Sequence, residues 1–143
     1  MKPPEPFTWF VDRALGRRLA QELRAAGWKV ETHDDHFKQD AEDSFWLADV
    51  GQRGWIVLTK DKAIRRNALE QAALVRAGVA CFTLGHGNLS AAQMAAAFLA
   101  AEARMAKVLR RFDVPLTASV TSTGHVTVLM AEGEILTPPK QIK

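Results

Sequence analysis

Short runs of β-branched and aromatic residues occur at four places in the first part of the chain. They are too short for helices and are bounded by glycine or polar residues, which is typical of strands buried in a sheet. We interpret residues 7–11, 28–32, 55–58 and 79–84 as strands. The third run is continuously apolar, which favours a strand that is covered on both faces.

Between these runs, apolar residues recur every three or four positions, as they do on the buried face of a helix. Leu15, Leu19 and Leu23 form the first such stripe, and Gly27 supplies a helix end. Further stripes predict helices around residues 46–50, at 64–75 and at 91–110. The long stripe at residues 91–110 could belong to the core or to a dimer interface, and the sequence leaves both possibilities open.

The alternation of strands and helices predicts the fold class, an α/β three-layer sandwich with a central, mainly parallel sheet. In such folds ligands bind beyond the carboxyl ends of the strands. Residues 116–120 and 125–130 alternate around a turn and predict a β-hairpin appended to the sheet. We therefore divide the chain into a flexible N-terminal extension, the α/β domain, the hairpin and a flexible tail, at residues 1–6, 7–112, 113–131 and 132–143.

Composition narrows the class of protein. With 143 residues, 48% of them hydrophobic and 24% charged, the chain has the composition of one folded domain and not of a disordered segment. No apolar run approaches the length of a membrane span or of a signal peptide, so we expect a cytoplasmic protein without membrane contact. Cys81 is the single cysteine and lies in an apolar run, which predicts a buried thiol and excludes a zinc–cysteine cluster.

The net charge of +3 hides an asymmetry. The chain up to Asp61 carries a charge of −2, and the remainder carries +5. Seven acidic residues and a single base, Lys38, lie between positions 31 and 49. This pattern suits a cation site within a protein that has an anionic partner, although a solvated acidic face would also produce it.

Two carboxylates follow predicted strands at the edge where ligands bind. Asp12 ends the first strand, and Asp61 comes three residues after the third. If these strands are neighbours, both side chains project into one crevice. The alternative is that each residue caps the helix after it, where a carboxylate favours the exposed N–H groups.

Three further groups of residues are candidates for the same site. Asp43 shares the inward face of its helix with Trp46, whereas Asp40 is more typical of a helix cap. Asp34 and Asp35 leave the second strand at the same edge, and either could be an outer member of the acidic site. Their histidine neighbours leave a zinc site open as an alternative, but loop polarity explains them equally well.

Converging carboxylates need a cation, because like charges raise each other's pKa. Oxygen ligands select Mg²⁺ or Mn²⁺, and such an ion can orient a water and stabilise charge on phosphorus. The basic residues that surround the acids would hold a nucleic-acid backbone through its phosphates. The candidates for phosphate contact are Arg13, Lys60, Lys62 and Arg65, while Arg17 and Arg24 suit a solvated helix face.

The segments that carry these acids resemble those of PIN-like domains, in particular the branch grouped with VapC-type toxins of bacterial toxin–antitoxin modules. The likeness covers about residues 7–109. It rests on Phe10-Val11-Asp12-Arg13-Ala14-Leu15-Gly16, on the segment Thr32-His33-Asp34-Asp35-His36-Phe37, on Trp46-Leu47-Ala48 and on Val57-Leu58-Thr59-Lys60-Asp61-Lys62.

The resemblance implies an endoribonuclease that depends on Mg²⁺ or Mn²⁺. Asp12 and Asp61 match the metal-binding acids of the family, Asp43 matches the helix-borne acid, and Asp35 is an additional candidate ligand. The resemblance also implies an RNA substrate, an antitoxin protein that occupies the site, and a homodimer. Asp12, Asp43 and Asp61 are therefore the predicted catalytic residues.

The chain departs from the family at one position. Many PIN nucleases carry a further acid after the fourth strand, where this chain has Leu84-Gly85-His86-Gly87-Asn88. Asn88 or Asp35 could replace this acid. The sequence therefore leaves open whether the site binds one metal ion or two. Two other functions also stay open: a non-catalytic PIN-like interaction module, and a phosphoacceptor receiver domain, whose paired acids would normally follow the first strand rather than the second.

Overall fold

A computed structural model describes residues 2–60, 68–85 and 88–143 of the chain. In this part of the chain seven strands form one sheet in the order β2-β1-β3-β4-β5-β6-β7, parallel from β2 to β5 and antiparallel from β5 to β7. The strands are β1 (Trp9–Val11), β2 (Val30–Thr32), β3 (Ile56–Thr59), β4 (Ala80–Leu84), β5 (Leu116–Val120), β6 (Val126–Ala131) and β7 (Glu134–Ile142). The predicted fold class is confirmed.

Helices follow the parallel strands, as the spacing of apolar residues predicts. They are α1 (Arg17–Ala25), α2 (His33–His36), α3 (Asp43–Arg53), α4 (Ala68–Ala77) and α5 (Ala91–Arg111). The short helix α2 was not predicted, because four polar residues carry no apolar period. The predicted start of α4 near Ile64 lies outside the described residues.

The helices lie on opposite faces of the sheet and enclose two apolar cores. One core, with α1 and α5, includes Leu19, Phe82 and Phe98, and the other, with α3 and α4, is built around Phe10 and Trp46. All five side chains are at most 1% exposed, and burying a side chain of this size contributes about 1.5–3 kcal/mol. The stripe of α5 therefore belongs to the core of this chain.

The C-terminal segment corrects one prediction. The expected hairpin is present as β5 and β6, but residues 132–143, predicted to be a flexible tail, contain the nine-residue edge strand β7. Val126 pairs with Ile142, whose side chain is only 6% exposed. The tail lacks a clear alternation of apolar residues, so its pairing with β6 could not be recognised from local sequence.

The N-terminal extension contacts the body of the domain through charged side chains. Lys2 Nζ lies 3.0 Å from the Asp113 carboxylate, and the Arg110 guanidinium lies 2.7 Å from that of Glu5. All four side chains are well exposed to solvent, so these ion pairs position the extension without adding much stability.

Two expectations from composition can be compared with the structure. Cys81 is fully buried, and burial raises the pKa of its thiol to about 12, as expected of an inert core residue. Of the helices within residues 2–60, 68–85 and 88–143, none combines the length and apolar character needed to cross a membrane.

Candidate active site at the carboxyl edge of the sheet

The strand order brings the residues that follow β1, β2 and β3 to one place. Strand β1 lies between the other two, and Val11 is level with both Thr32 and Leu58. The next residues, Asp12, His33 and Thr59, therefore lie in one row across the carboxyl edge. Strands β1 and β3 are neighbours, so the condition set for a shared crevice is met, and the position of Asp12 lies beside the segment that leads to Asp61.

Asp12 is a buried carboxylate with a specific partner. It is 8% exposed, and its Oδ2 accepts a hydrogen bond of 2.9 Å from the Thr59 hydroxyl. Burial raises the pKa of Asp12 above its ordinary value, and the negative charge of Asp43 raises it further, while the bond from Thr59 and the backbone N–H of Arg13 oppose the shift. An added cation would relieve the cost of ionising this group.

Asp43 lies in the first turn of α3 and is half-buried. Its Oδ1 accepts a hydrogen bond of 2.9 Å from the indole N–H of Trp46, a residue anchored in the core. The charge of Asp43 contributes to the raised pKa of Asp12, so the two carboxylates are electrostatically coupled. Asp40 is not the cap of the helix: the N-cap residue is Glu42, and its side chain makes no capping bond.

His33 and Thr59 are the polar members of this row that sequence reasoning did not select. His33 is 2% exposed, and burial lowers the pKa of its imidazole, whereas the nearby charge of Asp12 opposes that shift. Its ring meets the Trp46 ring edge to face, with centroids 5.7 Å apart. The available signal was positional, because each of the two residues stands at or next to the end of a strand beside β1.

Most of the acidic run from position 31 to 49 serves other contacts. Asp35, the additional candidate ligand, lies 3.7 Å from the Arg24 guanidinium and is 58% exposed. The neighbouring carboxylates also have partners: Asp34 pairs with Arg17, Asp49 pairs with Arg53, and Glu31 lies 2.7 Å from the His36 ring nitrogen. The structure therefore leaves Asp43 electrostatically coupled to Asp12 but directs Asp34 and Asp35 toward α1.

The predicted phosphate-binding residues are only partly within the described chain. Arg13 is exposed and directly follows Asp12, and Lys60 is half-buried and directly follows β3. Asp61, Lys62 and Arg65 lie outside the described residues, as does His86, while Asn88 is exposed after β4. Across residues 2–60, 68–85 and 88–143, no three His, Cys, Asp or Glu side chains converge as a metal site would require.

The donor chemistry of the two described acids nevertheless suits a hard cation. Asp12 and Asp43 offer carboxylate oxygens, and each engages one of its two oxygens in the hydrogen bonds above. Oxygen ligands of this kind favour Mg²⁺ or Mn²⁺ over softer transition metals. Two neighbouring carboxylates, one of them buried with a raised pKa, also form a site whose charge a cation would balance.

Comparison with known proteins agrees with this geometry. Residues 8–86, just over half of the chain, match the family described as "PIN like domain", and this chain belongs to that family. A protein of Mycobacterium tuberculosis (strain ATCC 25618 / H37Rv) named "Putative ribonuclease VapC45" is 35% identical over 125 residues, which cover 84% of this chain and 90% of that protein. No solved structure gives a significant match. Membership of this family excludes the alternative of a phosphoacceptor receiver domain.

Proposed function

We propose that this protein is an endoribonuclease that hydrolyses RNA phosphodiesters with Mg²⁺ or Mn²⁺ as cofactor, and that it acts as the toxin of a toxin–antitoxin system. The observation that carries the proposal is the buried Asp12 carboxylate, coupled to the charge of Asp43, at the carboxyl edge of a PIN-like sheet. The relative named as a VapC ribonuclease supports the choice of RNA as substrate.

Each described residue of the site has a separate task in this proposal. Asp12 and Asp43 would hold the cation, with Asp61 as the third acid. Thr59 fixes the orientation of the Asp12 carboxylate through its hydrogen bond, and Trp46 does the same for Asp43. Arg13 and Lys60, with Lys62 and Arg65, would contact RNA phosphates on either side of the acids.

The bound cation would supply positive charge that orients a water molecule and offsets the charge developing on the phosphate. The protein supplies the fixed carboxylates, and the burial of Asp12 limits competition from bulk water. Because an ionised Asp12 is costly while no cation is present, cation binding and ionisation of Asp12 are coupled.

The partners follow from the same class of protein. An antitoxin would silence the enzyme by occupying the carboxyl edge. The proposal also includes a homodimer of the enzyme and its location in the cytoplasm. None of the described contacts specifically favours a non-catalytic interaction module.

The decisive experiment measures metal binding and RNA cleavage on the same samples. Calorimetric titration of the full chain with Mn²⁺ and Mg²⁺ should detect binding, and total RNA should be cleaved only when metal is present. Asp12→Asn and Asp43→Asn should each reduce cleavage by about 100-fold or more, since each removes charge at the reacting centre. Metal binding should weaken in parallel.

Asp49→Asn is the matched control, because Asp49 lies on the same helix but pairs with Arg53. It should leave both cleavage and metal binding unchanged. Cleavage that persists in EDTA, or in Asp12→Asn at the wild-type rate, would contradict the proposal.

A further inference from the structure

An open groove lies where the end of α2, the loop after it and the start of α3 meet. Its volume is about 490 Å³. Its wall combines aromatic rings, carboxylates and one lysine ammonium group. The residues that contribute them are His36, Phe37, Lys38, Asp40, Glu42 and Phe45.

Phe45 is the unusual residue of this groove. It is 66% exposed, although α3 has its own buried apolar stripe at Trp46, Leu47 and Val50. Its ring meets the half-buried Phe37 ring edge to face at 6.2 Å, and Phe37 in turn lies 6.3 Å from the His36 ring. The fold therefore holds an aromatic face toward solvent, beside other rings that keep it in place.

The charges of the groove favour a particular ligand. Within the described residues, the carboxylates of Asp40 and Glu42 make no hydrogen bond or ion pair, and both residues are exposed. Two carboxylates would repel a phosphate, but they can accept hydrogen bonds from the N–H groups that every nucleobase carries. A planar base stacked on Phe45 would use both the ring and these acceptors, while Lys38 could meet an adjacent phosphate.

The groove is also in the right place for a substrate of the site. Glu42 directly precedes Asp43, and Phe45 follows it by two residues on the same helix. The Phe37 ring lies 5.5 Å from the His33 ring, which stands in the row with Asp12. The rings of Phe37 and His33 therefore form a continuous path from Phe45 to the row that contains Asp12.

We propose that this groove binds one unpaired nucleobase of the RNA, stacked on Phe45, next to the phosphodiester held at Asp12 and Asp43. The inference rests on the proposed ribonuclease function and narrows it to RNA that is single-stranded at this position. In a duplex the bases are stacked on one another and their faces are inaccessible, so a paired base could not enter.

The test uses full-length protein in the Asp12→Asn background, so that RNA is bound but not cut. A short single-stranded RNA carries the fluorescent base 2-aminopurine at successive positions, and quenching reports stacking. Phe45→Ala should weaken binding by about 5- to 50-fold and abolish the quenching. Phe45→Tyr should restore both, whereas Phe45→Leu, which keeps apolar bulk without an aromatic face, should not.

A duplex of the same sequence should bind more weakly and should not respond to changes at Phe45. Because Phe45 is exposed, unchanged melting temperatures should confirm that the variants fold. Wild-type binding by Phe45→Ala or Phe45→Leu, or equal binding of the duplex, would overturn the inference while leaving the proposed function intact. If the wild-type protein with metal cleaves no RNA, the proposed function fails. The quenching experiment then still tests, independently of cleavage, whether a base stacks on Phe45.

Discussion

Asp12 shows how a single residue can be positioned for chemistry against its own electrostatic preference. Its carboxylate is buried, it faces the charge of Asp43, and its described partners are the Thr59 hydroxyl and the Arg13 backbone N–H. Neither partner carries a charge at the bonding atom, so neither neutralises the carboxylate as an arginine would. The site is therefore better suited to binding a cation than to stabilising the metal-free fold.

This arrangement predicts that Asp12→Asn stabilises the metal-free protein in a pH-dependent way. Below the ordinary pKa of 3.8, Asp12 is protonated in both the folded and the unfolded state, and the variant should resemble wild type. As pH rises through the raised pKa of the folded state, the wild-type protein loses stability that the variant keeps. We expect a rise of a few degrees in melting temperature at neutral pH, measured by thermal unfolding from pH 3 to 8 in metal-free buffer.

His33 is coupled to Asp12, because the charge of Asp12 opposes the lowering of the His33 pKa that burial causes, so the same comparison made in a His33→Gln background isolates the effect of Asp12. Addition of Mn²⁺ should reverse the order by stabilising wild type and not Asp12→Asn. A variant that is less stable than wild type at neutral pH, or a difference that does not change with pH, would contradict the assignment.

At the scale of single elements, the start of helix α5 is specified locally. The Ser90 hydroxyl accepts a hydrogen bond of 3.1 Å from the Gln93 backbone N–H, and the Gln93 side chain accepts one of 2.8 Å from the Ser90 backbone N–H. These bonds satisfy backbone groups that no helical turn can satisfy. The same pairing was visible in the sequence as serine followed three residues later by glutamine.

Ser90→Ala should therefore lower the free energy of unfolding by about 1 kcal/mol, the usual effect of removing such a cap. Denaturation in urea, monitored by circular dichroism, measures the change. Ser44→Ala is the control, because Ser44 is an exposed residue within α3 where alanine is a good helix former. Equal effects of the two substitutions would show that the capping box contributes no stability.

At the scale of the whole molecule, the sheet extends beyond its parallel part through two antiparallel strands, β6 and β7. Strand β5 pairs with β4 in parallel and with β6 in antiparallel orientation, and β7 forms the edge. The segment from β5 to β7 lies outside the region that matches the PIN-like family, which ends at residue 86. Its inner residues nevertheless share the core with α5, so it is part of one cooperative structure.

Ile142→Ala tests whether the last strand contributes to that core. Ile142 is 6% exposed and packs among the core residues, so its truncation should cost about 2–3 kcal/mol. Ile135→Ala, on the same strand but 76% exposed, should change stability by less than about 0.5 kcal/mol. Urea denaturation measures both, and a negligible effect of Ile142→Ala would mean that β7 is detached in solution.

The sequence by itself determined the parallel half of the fold, the buried cysteine and the places of Asp12 and Asp43. Each depends on local information: the period of apolar residues, the end of a strand, or the position of a carboxylate on a helix face. Asp61 belongs to the same prediction, and its placement lies outside the described residues.

Tertiary structure alone decided which acids meet. Ion pairs direct Asp34 and Asp35 toward α1, and the Thr59 hydroxyl donates to Asp12. His33 is buried, and β7 pairs with β6. Each of these features depends on segments that are distant in sequence or that lack a periodic signal. Strand order and register set these contacts. They arise from packing across the whole sheet, which no local pattern specifies.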